Sequence, residues 1–383
     1  MEDTILQEGT KLIDQLTETV GPSAREMEED ALLQERTKLI AQLKETVGTS
    51  GTGNGSPPLN IVFIGIPGCG KSSFINSFAA SVADKCWQEY AYSGRKSGAT
   101  HQNTVRFQSV EASNYGTSPS LSDYSLPTLI DLTGFESQDE EITKEVLRLI
   151  FYGKLRNASN VKSVYRFGKT FGVWALRLWY GVLYPENHFK VDRVVIVTSA
   201  NEEVPDGLVN SVMEVVRPTD DVYNREIPVF GVMTGIDVVD ESRTEVFEER
   251  TINFMNSLAL VGAGHRFLQC VNYCDEIDPT KKRISQTLPH IDVPILNFMN
   301  VVCGRQYGVV NSEESYRDVL KSRLRHQIRC WVVNLCKRAT TSFTNSTRGP
   351  VVPANPLGVD MSTILLGAFV CLLFYVLFSI VFL

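Results

Sequence analysis

Apolar residues in this chain gather into short, nearly unbroken runs separated by longer amphipathic stretches. The first run is Asn60-Ile61-Val62-Phe63-Ile64; others are LPTLIDL from Leu126, VVIVT from Val194, IPVFGVM from Ile227, and Phe267 to Val271. A run of this kind, bounded by turn residues and without alternation, predicts a strand covered on both faces. Thr104 to Val110 alternates instead, which predicts an antiparallel edge strand. Between the runs, Ser72 to Ala83, Glu140 to Tyr152, Gly207 to Val216 and Thr244 to Leu260 read as helices. The alternation predicts an α/β fold, a mostly parallel sheet wrapped by helices, over residues 60–304.

Ahead of this block the chain repeats itself. LQEGTKLIDQLTETVG starts at Leu6 and LQERTKLIAQLKETVG at Leu33; the copies differ only at positions 9/36, 14/41 and 17/44. Leu12, Ile13, Leu16 and Val20 fall on one helical stripe, as do Leu39, Ile40, Leu43 and Val47. Residues 1–48 therefore predict duplicated amphipathic helices. They could pack as a hairpin, make a homo-oligomer or bind a protein partner; a mostly solvated duplication is the alternative. Residues 49–59, which begin TSGTGNGSPP, read as a flexible linker.

Beyond the α/β block, residues 305–338 form a basic amphipathic segment. Its apolar side carries Leu320, Leu324, Ile328, Trp331, Val332 and Leu335, and no acid answers Lys321, Arg323, Arg325, Arg329, Lys337 and Arg338. That face is either solvated or suited to anionic headgroups. Residues 339–361, with Pro350, Pro353 and Pro356, are a spacer. Residues 362–383, STILLGAFVCLLFYVLFSIVFL, carry no charge and are long enough to cross a bilayer as a helix. The pattern predicts a single-pass anchor on the cytosolic face of an intracellular membrane, with the basic residues upstream. Its hydrophobicity without a basic flank favours the endoplasmic reticulum over the mitochondrial outer membrane. A further stretch, Val161 to Tyr184, is aromatic and basic without acids; it either packs on the domain or touches a lipid surface or partner.

Charge and cysteines narrow the class. A formal net charge of -7 and a pI near 5.4 argue against a nucleic-acid partner. Cysteines at 69, 86, 270, 274, 303, 330, 336 and 371 show no paired zinc-site spacing, and read as reduced thiols. The N-terminus MEDTILQEGTKLIDQL lacks the apolar core of a signal peptide.

The chemistry concentrates after the first strand. Gly65-Ile66-Pro67-Gly68-Cys69-Gly70-Lys71-Ser72 matches G-x-x-x-x-G-K-[ST] in full, between an apolar run and a helix. Glycines let backbone N–H groups converge on phosphates at the positive end of a helix. The phosphate-binding set is Gly65, Gly68, Cys69, Gly70, Lys71, Ser72 and Ser73, with Lys71 a point charge for the terminal phosphates and Ser72 a Mg²⁺ ligand. Asp131, ending LPTLIDL, supplies the second Mg²⁺ contact, and Asp131-Leu132-Thr133-Gly134 fits D-x-x-G, placing Gly134 at the γ-phosphate. Thr234-Gly235-Ile236-Asp237 stands where GTPases carry N/T-K-x-D, the Asp taking two hydrogen bonds from guanine. Gly235 replaces the Lys, which weakens base specificity, and Asp237 could instead be a plain turn residue. Phe135 stands where a water-positioning Gln is expected, so turnover should be slow.

With GKSSFINS, DLTG and TGID in view, the chain resembles the interferon-induced protein 44 family of GTPase-like proteins. Lys71 to Ser77, Thr234 to Asp237, and Val271-Asn272-Tyr273-Cys274-Asp275-Glu276 carry the resemblance, over roughly Asn60 to Cys303. It implies a P-loop, G-domain-like fold with GTP or GDP and Mg²⁺ as ligands, Asn272 beside the base, Thr100 on Mg²⁺ with Thr104 as competitor, and a place in an immune or stress response. Together these expectations describe a membrane-anchored GTP-binding protein, a slow GTPase whose nucleotide state controls self-association or partner binding. A catalytically degenerate nucleotide-binding scaffold and an ATPase are the alternatives.

Overall fold

The computed structural model describes residues 22–49, 57–83, 87–92, 107–116, 121–132, 140–218, 225–239, 244–273, 287–323 and 326. Six strands form one sheet: β1 (Asn60–Ile64), β2 (Gln108–Val110), β3 (Thr128–Asp131), β4 (Arg193–Ser199), β5 (Val229–Thr234) and β6 (Phe267–Cys270). Their order is β2-β3-β1-β4-β5-β6, and every pairing is parallel except β2 with β3. The continuous apolar runs thus became the parallel strands, β6 at one edge and the others inside, and the alternating run became the antiparallel strand at the other edge. All five residues of β1 and all six of β5 are buried.

Seven α-helices of more than one turn are described ahead of Ser315: α1 (Pro22–Val47), α2 (Lys71–Val82), α3 (Glu140–Phe151), α4 (Val161–Leu176), α5 (Asp206–Val216), α6 (Thr244–Ser257) and α7 (Pro289–Val302). Because successive strand residues point to opposite faces, Ile61, Phe63, Val195, Val197, Phe230 and Val232 meet one helical layer. That layer holds Phe74 and Phe78 of α2, Ile295 and Met299 of α7, and Leu39 and Leu43 of α1. Phe298 sits between the layers, edge-on to Phe74 at 6.1 Å and to Phe230 at 6.2 Å. On the other face α3 packs on α5. Gly231 of β5 lets α6 approach there: a Cβ at 231 would lie 2.8 Å from Leu258.

Helix α1 changes the picture of the N-terminal repeat. The stripe predicted from Leu39 and Leu43 is buried, and it fills the core of the α/β block. Complete burial of two leucines contributes roughly 3 to 6 kcal/mol. The helix starts at Pro22, well before the second copy, and stops at Gly48, whose φ of 74° is the left-handed terminator. The first copy and most of the linker lie outside the described residues.

A second compact unit begins at Ser315. Its described part is helical over 316–323, with Tyr316, Val319 and Leu320 buried. The rest of the basic segment, the spacer and the stretch 362–383 lie outside the described residues. Among the described residues no helix is long and apolar enough to cross a membrane.

Candidate functional site

The chain leaves β1 to α2 on one side of the sheet and β4 to α5 on the other, so the strand order reverses between β1 and β4. In open α/β sheets the ligand crevice lies outside the carboxyl ends of the strands at such a point. Residues 65–70 leave β1 there, and Asp131, Thr234 and Cys270 end neighbouring strands on the same side.

The loop's shape follows from its glycines. A Cβ on Gly65 would lie 2.2 Å from the Val197 carbonyl oxygen, so β4 tolerates nothing larger there. Gly68 and Gly70 have φ of 83° and 90°, the left-handed region that other residues enter at a cost. Gly70 is the N-cap of α2 and offers no side chain to it. The first-turn N–H groups of α2 therefore keep their capacity for an anion. Lys71, nearly buried, donates to the carbonyls of Gly65 at 3.1 Å and Ile66 at 2.7 Å. Its ammonium is held at the loop's mouth by the backbone that shapes the cradle.

Ser72 and Asp131 meet. Pairing of Phe63 with Asp131 sets the carboxylate beside β1, and the Ser72 hydroxyl donates to Asp131 Oδ2 at 2.5 Å. Asp131 is fully buried, and its Oδ1 has no hydrogen-bond partner among the described residues. Burial pushes the carboxyl above its ordinary range, against the Lys71 charge and the Ser72 hydrogen bond. An orphaned carboxylate oxygen beside a hydroxyl is a hard oxygen donor set, and fits Mg²⁺. Thr100, Gly134 and Phe135 lie outside the described residues.

The base-binding candidates are divided. Thr234 is buried beneath the phosphate loop, its hydroxyl donating to the Cys69 carbonyl at 2.8 Å. A Cβ on Gly70 would lie 2.7 Å from that hydroxyl. Its side chain therefore braces the phosphate loop; it was expected at the base. Gly235, at φ 72°, donates to the Cys270 carbonyl at 3.1 Å and launches the turn Ile236–Val238, which leaves Asp237 exposed. Asn272 follows β6, buried, with Oδ1 lacking a hydrogen-bond partner among the described residues. Asp237 and Asn272 thus stand on the loops that follow the adjacent strands β5 and β6.

Sequence reasoning missed the scaffold behind these loops. The Tyr273 N–H donates to Ser77 Oγ of α2 at 3.0 Å, and the Tyr273 hydroxyl donates to Asp292 Oδ1 at 2.7 Å. Arg36 of α1 donates to Asp292 Oδ2 at 2.7 Å and to the Ser81 and Ala83 carbonyls at the end of α2. A signal was available: Arg36 is one of the few positions where the two repeats differ, Gly9 being its counterpart. Asn76, buried on α2, likewise holds residues 90–91 through Tyr90 N–H at 2.9 Å, Ala91 N–H at 2.8 Å and the Ala91 carbonyl at 2.7 Å. Cys69, Cys270 and Cys303 are buried free thiols; burial pushes all three up, Cys303 to about 12, which keeps them protonated.

No family model matches the chain, and no curated protein matches it. Among solved structures, Toc33 from Arabidopsis thaliana in complex with GDP and Mg²⁺ is similar at 11% identity and TM-score 0.39, over 73% of this chain and 95% of that one. A structure of chloroplast translocon components is similar at 13% identity and TM-score 0.38, over 74% and 94%. Bacterial selenocysteine-specific elongation factor EF-Sec is similar at 12% identity and TM-score 0.29; this chain covers 26% of it, and 56% of this chain is matched. By its own strand order, phosphate loop and Ser72–Asp131 pair, the chain folds as a P-loop α/β domain.

Proposed function

We propose that this protein binds a guanine nucleotide with Mg²⁺ and works at a membrane, anchored by residues 362–383. The observation that carries the nucleotide reading is the Ser72–Asp131 pair, closed at 2.5 Å beside Lys71 at the mouth of the phosphate loop. Ser72 and Asp131 would hold Mg²⁺, which supplies charge neutralisation at the phosphates. Lys71 and the first turn of α2 bind and orient the phosphates, and Thr234 holds the loop in shape. Guanine is supported by Asp237 and by Asn272 on the neighbouring loop, whose Oδ1 has no hydrogen-bond partner among the described residues. Kinship with the interferon-induced protein 44 family is supported by Lys71 to Ser77 and Thr234 to Asp237. On that reading the nucleotide state sets self-association or partner capture, and turnover is slow because Phe135 cannot orient water.

Calorimetry of the full chain with GTP and ATP in Mg²⁺ tests the reading. GTP should bind on the order of 100-fold more tightly, the worth of two hydrogen bonds to a charged group. Asp237→Ala should erase that preference, and Lys71→Ala should abolish triphosphate binding without loss of fold. Equal affinities for GTP and ATP would refute guanine choice. A second reading, a nucleotide-stabilised scaffold without turnover, is favoured by Gly235 in the Lys position; tight binding with no phosphate release would establish it. Removing residues 360–383 should free the protein from carbonate-washed membranes.

A further inference from the structure

Helix α4 does not run straight. At Gly172 (φ 83°, ψ 167°) the backbone leaves helical geometry; the chain folds back there and returns as a helix that ends in a π-helical stretch, Arg177–Val182. The return is close: Phe167 lies 6.3 Å from the Trp179 ring and 5.8 Å from the Tyr180 ring. Gly168 permits it, since a Cβ there would lie 2.4 Å from Leu176. The inner side of this hairpin is fastened to α3, where buried Glu145 accepts two hydrogen bonds from Arg177, at 3.0 and 2.7 Å.

Among the described residues the outer side has no such cover. Phe171 is 65% exposed, Trp174 58%, Leu178 41%, Trp179 49% and Leu183 58%. Five large apolar side chains on one hairpin form a patch that water disfavours. They straddle Gly172, around which an added Cβ would meet nothing within 4 Å, so the tip of the hairpin stands clear. Arg166 and Lys169 are exposed on the same hairpin. No Asp or Glu occurs between Glu145 and Glu186, in a chain whose net charge is -7.

We infer that the outer face of this hairpin lies in the headgroup layer of an anionic lipid bilayer. Tryptophan and phenylalanine beside lysine and arginine are the composition that settles at a membrane interface, where rings meet the acyl boundary and cations meet headgroups. The local absence of acid matches a negative surface and would repel nothing there. The bilayer is preferred to a soluble partner as occupant because the same chain carries the uncharged, span-length stretch 362–383. The inference rests in part on that anchoring reading, but it assigns a separate contact to a separate face.

The test reconstitutes the full chain into vesicles of phosphatidylcholine, with or without phosphatidylserine, carrying brominated acyl chains that quench nearby tryptophan. Wild type is compared with Trp174→Ser/Trp179→Ser; the difference spectrum isolates these two residues from buried Trp87 and from Trp331. The difference emission should be quenched and blue-shifted. Arg166→Glu/Lys169→Glu should weaken the quenching on phosphatidylserine vesicles and leave it unchanged on neutral ones. Flotation separates the two readings. If the chain floats with vesicles and the difference emission is unquenched, the hairpin inference is overturned while the anchor stands, and the face belongs to a protein partner. If the chain neither floats nor shows quenching, both fall.

Discussion

The Thr234 hydroxyl donates to the Cys69 carbonyl at 2.8 Å, joining the end of β5 to the middle of the phosphate loop across most of the domain's sequence. Thr234 is buried and lies against Gly70, so the loop rests on it. Thr234→Val keeps the shape and removes the donor. It should cost about 1 kcal/mol of stability, with a further loss in triphosphate affinity because the loop is held less well. Thr234→Ser, which keeps the donor, should retain most of that affinity. Calorimetric titration of both variants checks this; equal behaviour would mean the hydrogen bond does not shape the loop.

That residue also shows where sequence reading stops. The strands were legible because burial on both faces of a parallel sheet demands unbroken apolar runs, as in NIVFI and VFGVMT. The phosphate loop was legible because Gly65, Gly68 and Gly70 answer local constraints on the backbone. Thr234 was read as part of a base motif by its position at the end of β5, and only the packing of β5 under the loop reveals its donor role. The stripe of Leu39 and Leu43 was correct, but periodicity names a buried face and not what buries it. Arg36, Tyr273 and Asp292 come from three distant segments, and nothing local ties them together.

The two ends of the phosphate loop should respond differently to an added methyl group. At Gly65 a Cβ collides with the backbone of β4, 2.2 Å from the Val197 oxygen, and no side-chain adjustment relieves it. Gly65→Ala should displace the loop and abolish nucleotide binding. Around Gly68 there is open space, and the only penalty is its φ of 83°, roughly 1 to 2 kcal/mol for an L residue. Gly68→Ala should therefore bind measurably with reduced stability. Thermal unfolding with and without GTP distinguishes the two; equal loss of binding would show that the left-handed turn itself is indispensable.

Helix α1 should be required for the stability of the nucleotide domain. Leu43 is fully buried in the same apolar cluster as Ile295 and Met299. Leu43→Ala should cost about 3 kcal/mol, within the range for leucine truncation in a core. A fragment beginning at residue 56 would lose Leu39, Leu43 and Arg36 together, and should be less stable than one beginning at residue 22. Urea denaturation of the variant and both fragments measures this. Unchanged midpoints would mean the helix merely rests on α7.

The Arg36–Asp292 ion pair, 2.7 Å long, should make stability depend on pH in a predictable direction. Asp292 is fully buried; burial raises its carboxyl from the ordinary 3.8, against the Tyr273 hydroxyl, Arg36 and the charge of His290. With the folded value above the unfolded one, folding takes up a proton in the window just above 3.8. Stability from this group is therefore gained as pH falls through that window and lost as pH rises through the folded value. Arg36→Met removes the partner cation and leaves a buried carboxylate with one fewer donor. At neutral pH it should cost roughly 3 kcal/mol, as expected for half of a buried pair. Lowering the pH protonates Asp292 and should shrink that cost, because a neutral carboxyl no longer needs the guanidinium. Asp292→Asn in the Arg36→Met background should make the remaining loss independent of pH, since Arg36 then fails only its bonds to Ser81 and Ala83. Denaturation curves of the wild type and these variants across the acidic range decide it: a cost for Arg36→Met that stays constant with pH would show that Arg36 acts through the α2 carbonyls alone.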